Sequence, residues 1–137
     1  MKSKPMLTLA EVDLLMSGAR AEATRNNWAV SIAVVDDGGH LLGMVRLDGA
    51  SPMTAEMSRE KARTAALGRR ESRFYEELIN KGRVAFLSAP VLQGMLEGAV
   101  PVLHEGVVVG AVGVSGVKSA DDAQIARAGI AAAGLVS

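Results

Sequence analysis

The stretch that most limits the possible folds is Val107–Ser115, which contains no charged side chain. Because side chains alternate between the two faces of a β-strand, both faces of this stretch would carry only small or apolar groups. A strand that is apolar on both faces is typical of the centre of a sheet with a layer packed on each side. The stretch therefore predicts a three-layer α/β/α architecture with helices on both faces of the sheet.

Two hairpins are predicted to build that sheet. Glu105 and Gly106 form a short connection between residues 99–104 and 107–115, and the turn residues 36–39 join a strand at 30–35 to a second one at 40–46. Residues 91–93 are predicted to add a short edge strand, because Pro90 is tolerated at the start or edge of a sheet.

Helices are predicted before, between and after the hairpins. Thr8 and Glu11 form a capping box, the pattern that starts many helices, and Ser51 with Pro52 predicts the start of a second helix that ends near Arg69. A short helical piece is predicted at 74–79. A second capping box, Ser119 to Asp122, predicts the last helix, with a buried stripe that extends to Val136.

Composition narrows the classes of function. The 137 residues suit a single domain, residues 1–137, and the absence of cysteine excludes disulfides and a thiolate zinc site. The charges of fifteen basic and fifteen acidic residues cancel, whereas a nucleic-acid-binding protein usually has an excess of positive charge. No run approaches the roughly 20 apolar residues of a membrane span, and no secretory signal is recognisable. We therefore expect a cytoplasmic protein without a nucleic-acid or membrane partner.

Four motifs, in order along the chain, resemble one known family. They are VSIAVVDDGGHLLGMVRLDGA (30–50), EKARTAA (60–66), EGAVPV followed by EGVVVGAVGVSG (within 97–116), and DDAQIARAG (121–129). They are similar to the GlcG/HbpS family, which includes the C-terminal domain of PduO-type proteins, over nearly the whole chain. The resemblance implies a profilin-like domain with a five-stranded antiparallel sheet, and homo-oligomers.

The same resemblance implies a ligand for some members, namely haem or a related tetrapyrrole. In some haem-binding members a histidine on the first helix is thought to be an iron ligand, and this chain has no histidine between Thr8 and Asn27. Its histidines are His40 and His104, each beside a hairpin turn, and His104 flanks the central strands. Either imidazole could bind iron, but neither has the neighbours of a metal-ligand cluster.

Arg46, Asp48 and Lys61 form the other candidate group. They are predicted to converge at one end of the sheet, because the first two close the first hairpin and Lys61 lies on the apolar side of the second helix. The group could be a structural ion pair, or it could hold a small organic anion through guanidinium and ammonium groups. A lysine with a shifted pKa could also act as an acid or base.

Glu97, beside the loop that precedes Pro101, completes the candidate ligand-binding residues, which are Arg46, Asp48, Lys61, Glu97 and His104. The sequence leaves three functions open. The first is a small-molecule-binding protein that takes haem, a related tetrapyrrole or an organic anion. The others are an enzyme that acts on a small metabolite without a tightly held cofactor, and a purely structural subunit of a homo-oligomer.

Overall fold

Apart from the edge strand expected at 91–93, the helices and strands follow one another in the order that the sequence predicts. The computed structural model describes residues 1–89 and 91–137. Its elements are α1 (Leu9–Arg25), β1 (Ser31–Asp36), β2 (Leu41–Arg46), α2 (Pro52–Gly68), α3 (Arg73–Asn80), a 3-10 helix (Val84–Ser88), β3 (Ala99–His104), β4 (Val107–Ser115) and α4 (Ser119–Ala132).

The strands form one antiparallel sheet in the order β2-β1-β4-β3. The two strands with apolar side chains on both faces, β1 and β4, occupy its centre. α1 and α4 cover one face and α2 covers the other. The predicted three-layer α/β/α architecture is therefore confirmed.

The prediction of a five-stranded sheet is wrong, because the sheet of the described residues has four strands. Residues 91–93 are irregular. The backbone here bonds to α2 instead of to a neighbouring strand: Arg63 donates to the carbonyl of Val91, and the amide of Gly94, just after the segment, donates to Thr64 Oγ1 at 3.2 Å. The expected role of Pro90 at the strand start lies outside the described residues.

The predicted alternation of side chains between the two faces of β4 also fails at one position. The β3–β4 register shifts between Val102 and Leu103, whose partners on β4 are Gly110 and Val108, so Val109 is an extra residue in a bulge. As a result Val109 packs in the same apolar cluster as Val112, on the α1 and α4 side. The alternation predicted that Val109 would share a face with Ala111, which packs against α2.

The layer between α2 and the sheet is thin because small residues line it. Ala33 and Ala111 of the sheet meet Ala62, Ala65 and Ala66 of α2. The opposite layer is thicker, since valine and isoleucine side chains of β1 and β4 pack there against α1 and α4. The small residues of α2 thus allow the helix to pack closely against the sheet.

Helix ends follow the predictions at α1 but not at α4. The Thr8–Glu11 capping box is present, with both the Thr8 hydroxyl and the Thr8 amide donating to Glu11 Oε2, the amide at 2.7 Å. The hydrogen bond from the hydroxyl, followed by that from the amide, lowers the pKa of Glu11. At α4 the cap is Lys118 and not Ser119. The chain leaves α4 before Gly134, whose positive φ of 71° ends the helix, so Val136 instead bonds to Leu103 of β3.

None of the helices in the described part of the chain has the length and apolar character required to cross a bilayer.

Candidate functional site

The most deeply buried charges are Lys61 and Asp122. Lys61 is 4% exposed, and its ammonium donates to Asp122 Oδ2 and to the carbonyl of Val114, each at 3.1 Å. The other carboxylate oxygen of Asp122 accepts the amide of Val117 at 3.1 Å. The pair thus joins α2, the end of β4 and the start of α4, which is the role of a structural ion pair.

Gly98 leaves the space that Lys61 fills. A Cβ atom at this position would lie 2.8 Å from the Lys61 ammonium, and the backbone φ of 141° favours glycine. The glycine before β3 therefore makes room for the Lys61 side chain of the ion pair.

Burial raises the pKa of Asp122 above its usual range, although the Lys61 ammonium and the Val117 amide act in the opposite direction. Because the pKa is higher in the folded chain than in the unfolded chain, ionisation costs the folded chain more. The favourable contribution of Asp122 is therefore complete at acid pH, below the unfolded pKa, and is lost as the pH rises through the folded pKa. Because desolvation of two charges offsets much of their attraction, a buried ion pair of this kind adds little net stability.

Arg46 and Asp48 lie away from this pair. Both are exposed, Arg46 at the end of edge strand β2 and Asp48 on a shallow depression beside Trp28. Among the described residues, no ion pair or hydrogen bond joins either of them to Lys61, whose partner is Asp122. The anion site predicted from Arg46, Asp48 and Lys61 stays a prediction, and Arg46 is the cation of the group that reaches solvent.

His104 lines an apolar cavity of about 240 Å³ at the opposite end of the sheet. The cavity lies between the N-terminal segment, the start of α1, the β3–β4 hairpin and the C-terminal segment. Its walls are Pro5, Met6, Leu7, Val109 and Leu135, and Glu11 and His104 are its ionisable groups. The bulge at Val109 helps to form it by turning that side chain to the α1 side of the sheet.

The two histidines differ in their surroundings. The imidazole of His104 is 50% exposed, with its other side against the apolar cavity. His40 is exposed in the first hairpin, where its backbone amide donates to Asp36 Oδ1 at 2.9 Å, and it does not line that cavity. Only His104 therefore combines a metal-binding nitrogen with an apolar surface.

The cavity fits haem in its chemistry and encloses only part of it. Imidazole is a common axial ligand of haem iron, and an apolar wall suits the face of a porphyrin. The volume of about 240 Å³ lies just below the range of roughly 300–1,000 Å³ that is usual for small-molecule pockets. Because the ionised Glu11 would repel carboxylates, the propionates of a bound haem would face solvent.

Glu97 lies in a third place, beside a groove next to α3. Its backbone amide donates to Glu76 Oε2 at 3.4 Å, and its carboxylate lies close enough to Arg73 to raise the pKa of that guanidinium, after the larger effect of Glu77. The five predicted ligand-binding residues are therefore distributed over separate parts of the surface and core.

Asp122 is the residue that the sequence interpretation missed as the partner of Lys61. The second capping box predicts that Asp122 lies in the first turn of the last helix, where it does lie. The signal was the position of Lys61 on an apolar helix face, which requires a buried acidic partner. Among the residues that the structure describes, no group of three or more histidine, aspartate or glutamate side chains could hold a metal ion.

Comparisons with known proteins agree with this architecture. The family model described as "Haem degrading protein HbpS-like" matches residues 7–131. Protein GlcG of Escherichia coli strain K12 is 54% identical over 115 residues, which cover 84% of this chain and 85% of GlcG.

Two solved structures have the same fold. The crystal structure of HbpS superposes with a TM-score of 0.87 and 30% identity, covering 96% of this chain and 92% of HbpS. The crystal structure of a complex of PduOC with haem has a TM-score of 0.88 and 23% identity, covering 96% of this chain and 98% of PduOC. At that lower identity the PduOC structure shows the fold alone.

Proposed function

The chain belongs to the HbpS-like family, and on that premise we propose that it is a small-molecule-binding protein that takes haem or a related tetrapyrrole at the cavity beside His104. One observation carries the proposal: His104 places an imidazole against an apolar wall. The haem named in the family description supports the choice of ligand. The alternative of an enzyme that uses Lys61 has less support, because its ammonium is buried and bonded to Asp122.

The proposal predicts that haemin titrated into the protein gives a Soret band that depends on His104. His104→Ala should weaken haemin binding by about tenfold or more, because it removes the iron ligand and leaves the apolar wall. His40→Ala is the matched control, since it removes an exposed imidazole that lies outside the cavity. Absorbance spectra at increasing haemin concentration measure both affinities.

Two results would contradict the proposal. One is the absence of a Soret band in the unmodified protein at micromolar haemin. The other is equal weakening by His104→Ala and His40→Ala, which would mean that exposed imidazoles bind haemin without a site.

We also propose that the chain forms homo-oligomers through the edge strand β2. Leu41, Leu42 and Met44 are 47%, 39% and 41% exposed. Leu41 and Met44 pair with Val35 and Ala33, which pack on the α2 side of the sheet, so that face of the edge is apolar. Edge strands that stay unpaired usually carry charge or proline, and in β2 the one charged residue is Arg46 at its end. A second copy could pair antiparallel with the same strand around a two-fold axis.

Met44→Lys should therefore shift the protein toward a smaller assembly, because it places a charge in the middle of the proposed interface. Size-exclusion chromatography with light scattering measures the change. Leu87→Lys is the control, since Leu87 is 69% exposed but lies in the 3-10 helix outside β2. An unmodified protein that is monomeric at high concentration, or equal masses for the two variants, would rule out assembly through this edge.

A further inference from the structure

A second groove, of about 310 Å³, lies between α3 and residues 93–96 and shares no lining residue with the His104 cavity. Its apolar walls are Ile79, Leu87, Met95 and Leu96. Met95 is buried, whereas Leu87 and Leu96 are exposed along the rim. The groove therefore offers an apolar surface that is large enough for a small ring or a short chain.

One carboxylate, that of Glu76, lines this groove without a counter-ion. Glu76 is half-buried, and one of its oxygens accepts the Glu97 amide at a long 3.4 Å. In the part of the chain that the structure describes, no cationic side chain lies within 4.0 Å of it. The nearby guanidinium of Arg73 is held by Glu77 at 2.8 Å, and that of Arg83 lies over the Phe86 ring.

The remaining polar groups of the groove are the side-chain amides of Asn80 and Gln93. Each offers a carbonyl oxygen that can accept a hydrogen bond. A primary ammonium group has three donors, so it could be shared between one carboxylate and these two carbonyls. A carboxylate or phosphate ligand would instead meet the charge of Glu76.

We propose that this groove binds small amphipathic amines, with the ammonium group on Glu76 and the apolar part against Ile79, Met95 and Leu96. The charge-assisted hydrogen bond to Glu76 selects for a cationic ligand, and the apolar walls select for an apolar group attached to the ammonium. This site is independent of haem binding at His104, so each can fail without the other.

Three probes of similar shape and different charge test the proposal: benzylammonium, benzyl alcohol and benzoate. Each is titrated into ¹⁵N-labelled protein, and the amide shifts of α3 and residues 93–96 are followed. We expect benzylammonium to shift these amides saturably and to bind about threefold or more tighter than benzyl alcohol. Benzoate should not saturate them.

Two variants assign the selectivity to one carboxylate. Glu76→Gln keeps an oxygen acceptor for the Glu97 amide and removes the charge, so benzylammonium should bind no better than benzyl alcohol. Glu77→Gln removes the neighbouring carboxylate that is paired with Arg73, so the preference should remain. The proposal is overturned if benzoate binds as well as benzylammonium, if the shifted amides lie elsewhere, or if Glu76→Gln keeps the preference.

Discussion

Replacing Lys61 with alanine should lower the free energy of unfolding by about 3–5 kcal/mol, because it leaves the Asp122 carboxylate buried without its cation. The ammonium also bonds to the carbonyl of Val114, so the end of β4 loses a partner as well. Urea unfolding followed by circular dichroism measures the loss at neutral pH.

A double substitution separates the pair from its individual members. Lys61→Met with Asp122→Leu removes both charges and fills the space with apolar atoms, and it should recover at least about half of the lost stability. Haemin binding should be unchanged in the folded double variant, because the pair lies at the end of the sheet away from His104. If Lys61→Ala unfolds at the same urea concentration as the unmodified protein, the structural role of the pair is wrong.

Replacing Gly113 with valine should cost about 3 kcal/mol, the upper end of the usual range for overpacking. A Cβ atom at this position of β4 would meet the carbonyl oxygen of Ser58 and would lie 2.6 Å from the amide nitrogen of Ala62. Both atoms belong to the backbone of α2, so the helix would have to move away from the sheet. Thermal unfolding should show the loss as a lower Tm.

Gly43→Ala is the matched control within the same sheet. Its Cβ atom would meet the side chain of Val12 at 3.2 Å, and a side chain can shift more easily than a helix backbone. We expect a change well below that of Gly113→Val. Equal losses for the two variants would contradict the close approach of α2 to β4.

The sequence predicts the layers correctly because they depend on burial alone. An uncharged β4 has to be covered on both faces wherever its partners lie, and the structure covers it with α1 and α4 on one face and α2 on the other. The bulge at Val109 could not be predicted, since it depends on the pairing of two strands and not on the pattern within one. The edge strand expected at 91–93 is absent, and the carbonyl of Val91 instead accepts a hydrogen bond from Arg63 of α2.

The candidate site was less predictable because its groups come from distant parts of the chain. Lys61 was correctly placed near an apolar side, but its partner lies 61 residues away on another helix. His104 was favoured because it flanks the central strands, yet the cavity beside it requires the N-terminal segment and Leu135. Sequence position alone could not show that these segments meet at the hairpin.

The direct measurement of where the ligand lies uses the paramagnetism of ferric haem, which broadens the NMR signals of nearby amides. If haemin binds beside His104, the signals of Leu7, Val109 and Leu135 should broaden first, while those near Lys61 and Asp122 stay sharp. Broadening centred on the Lys61 end of the sheet, or on the middle of α1, would contradict the placement of the ligand at His104.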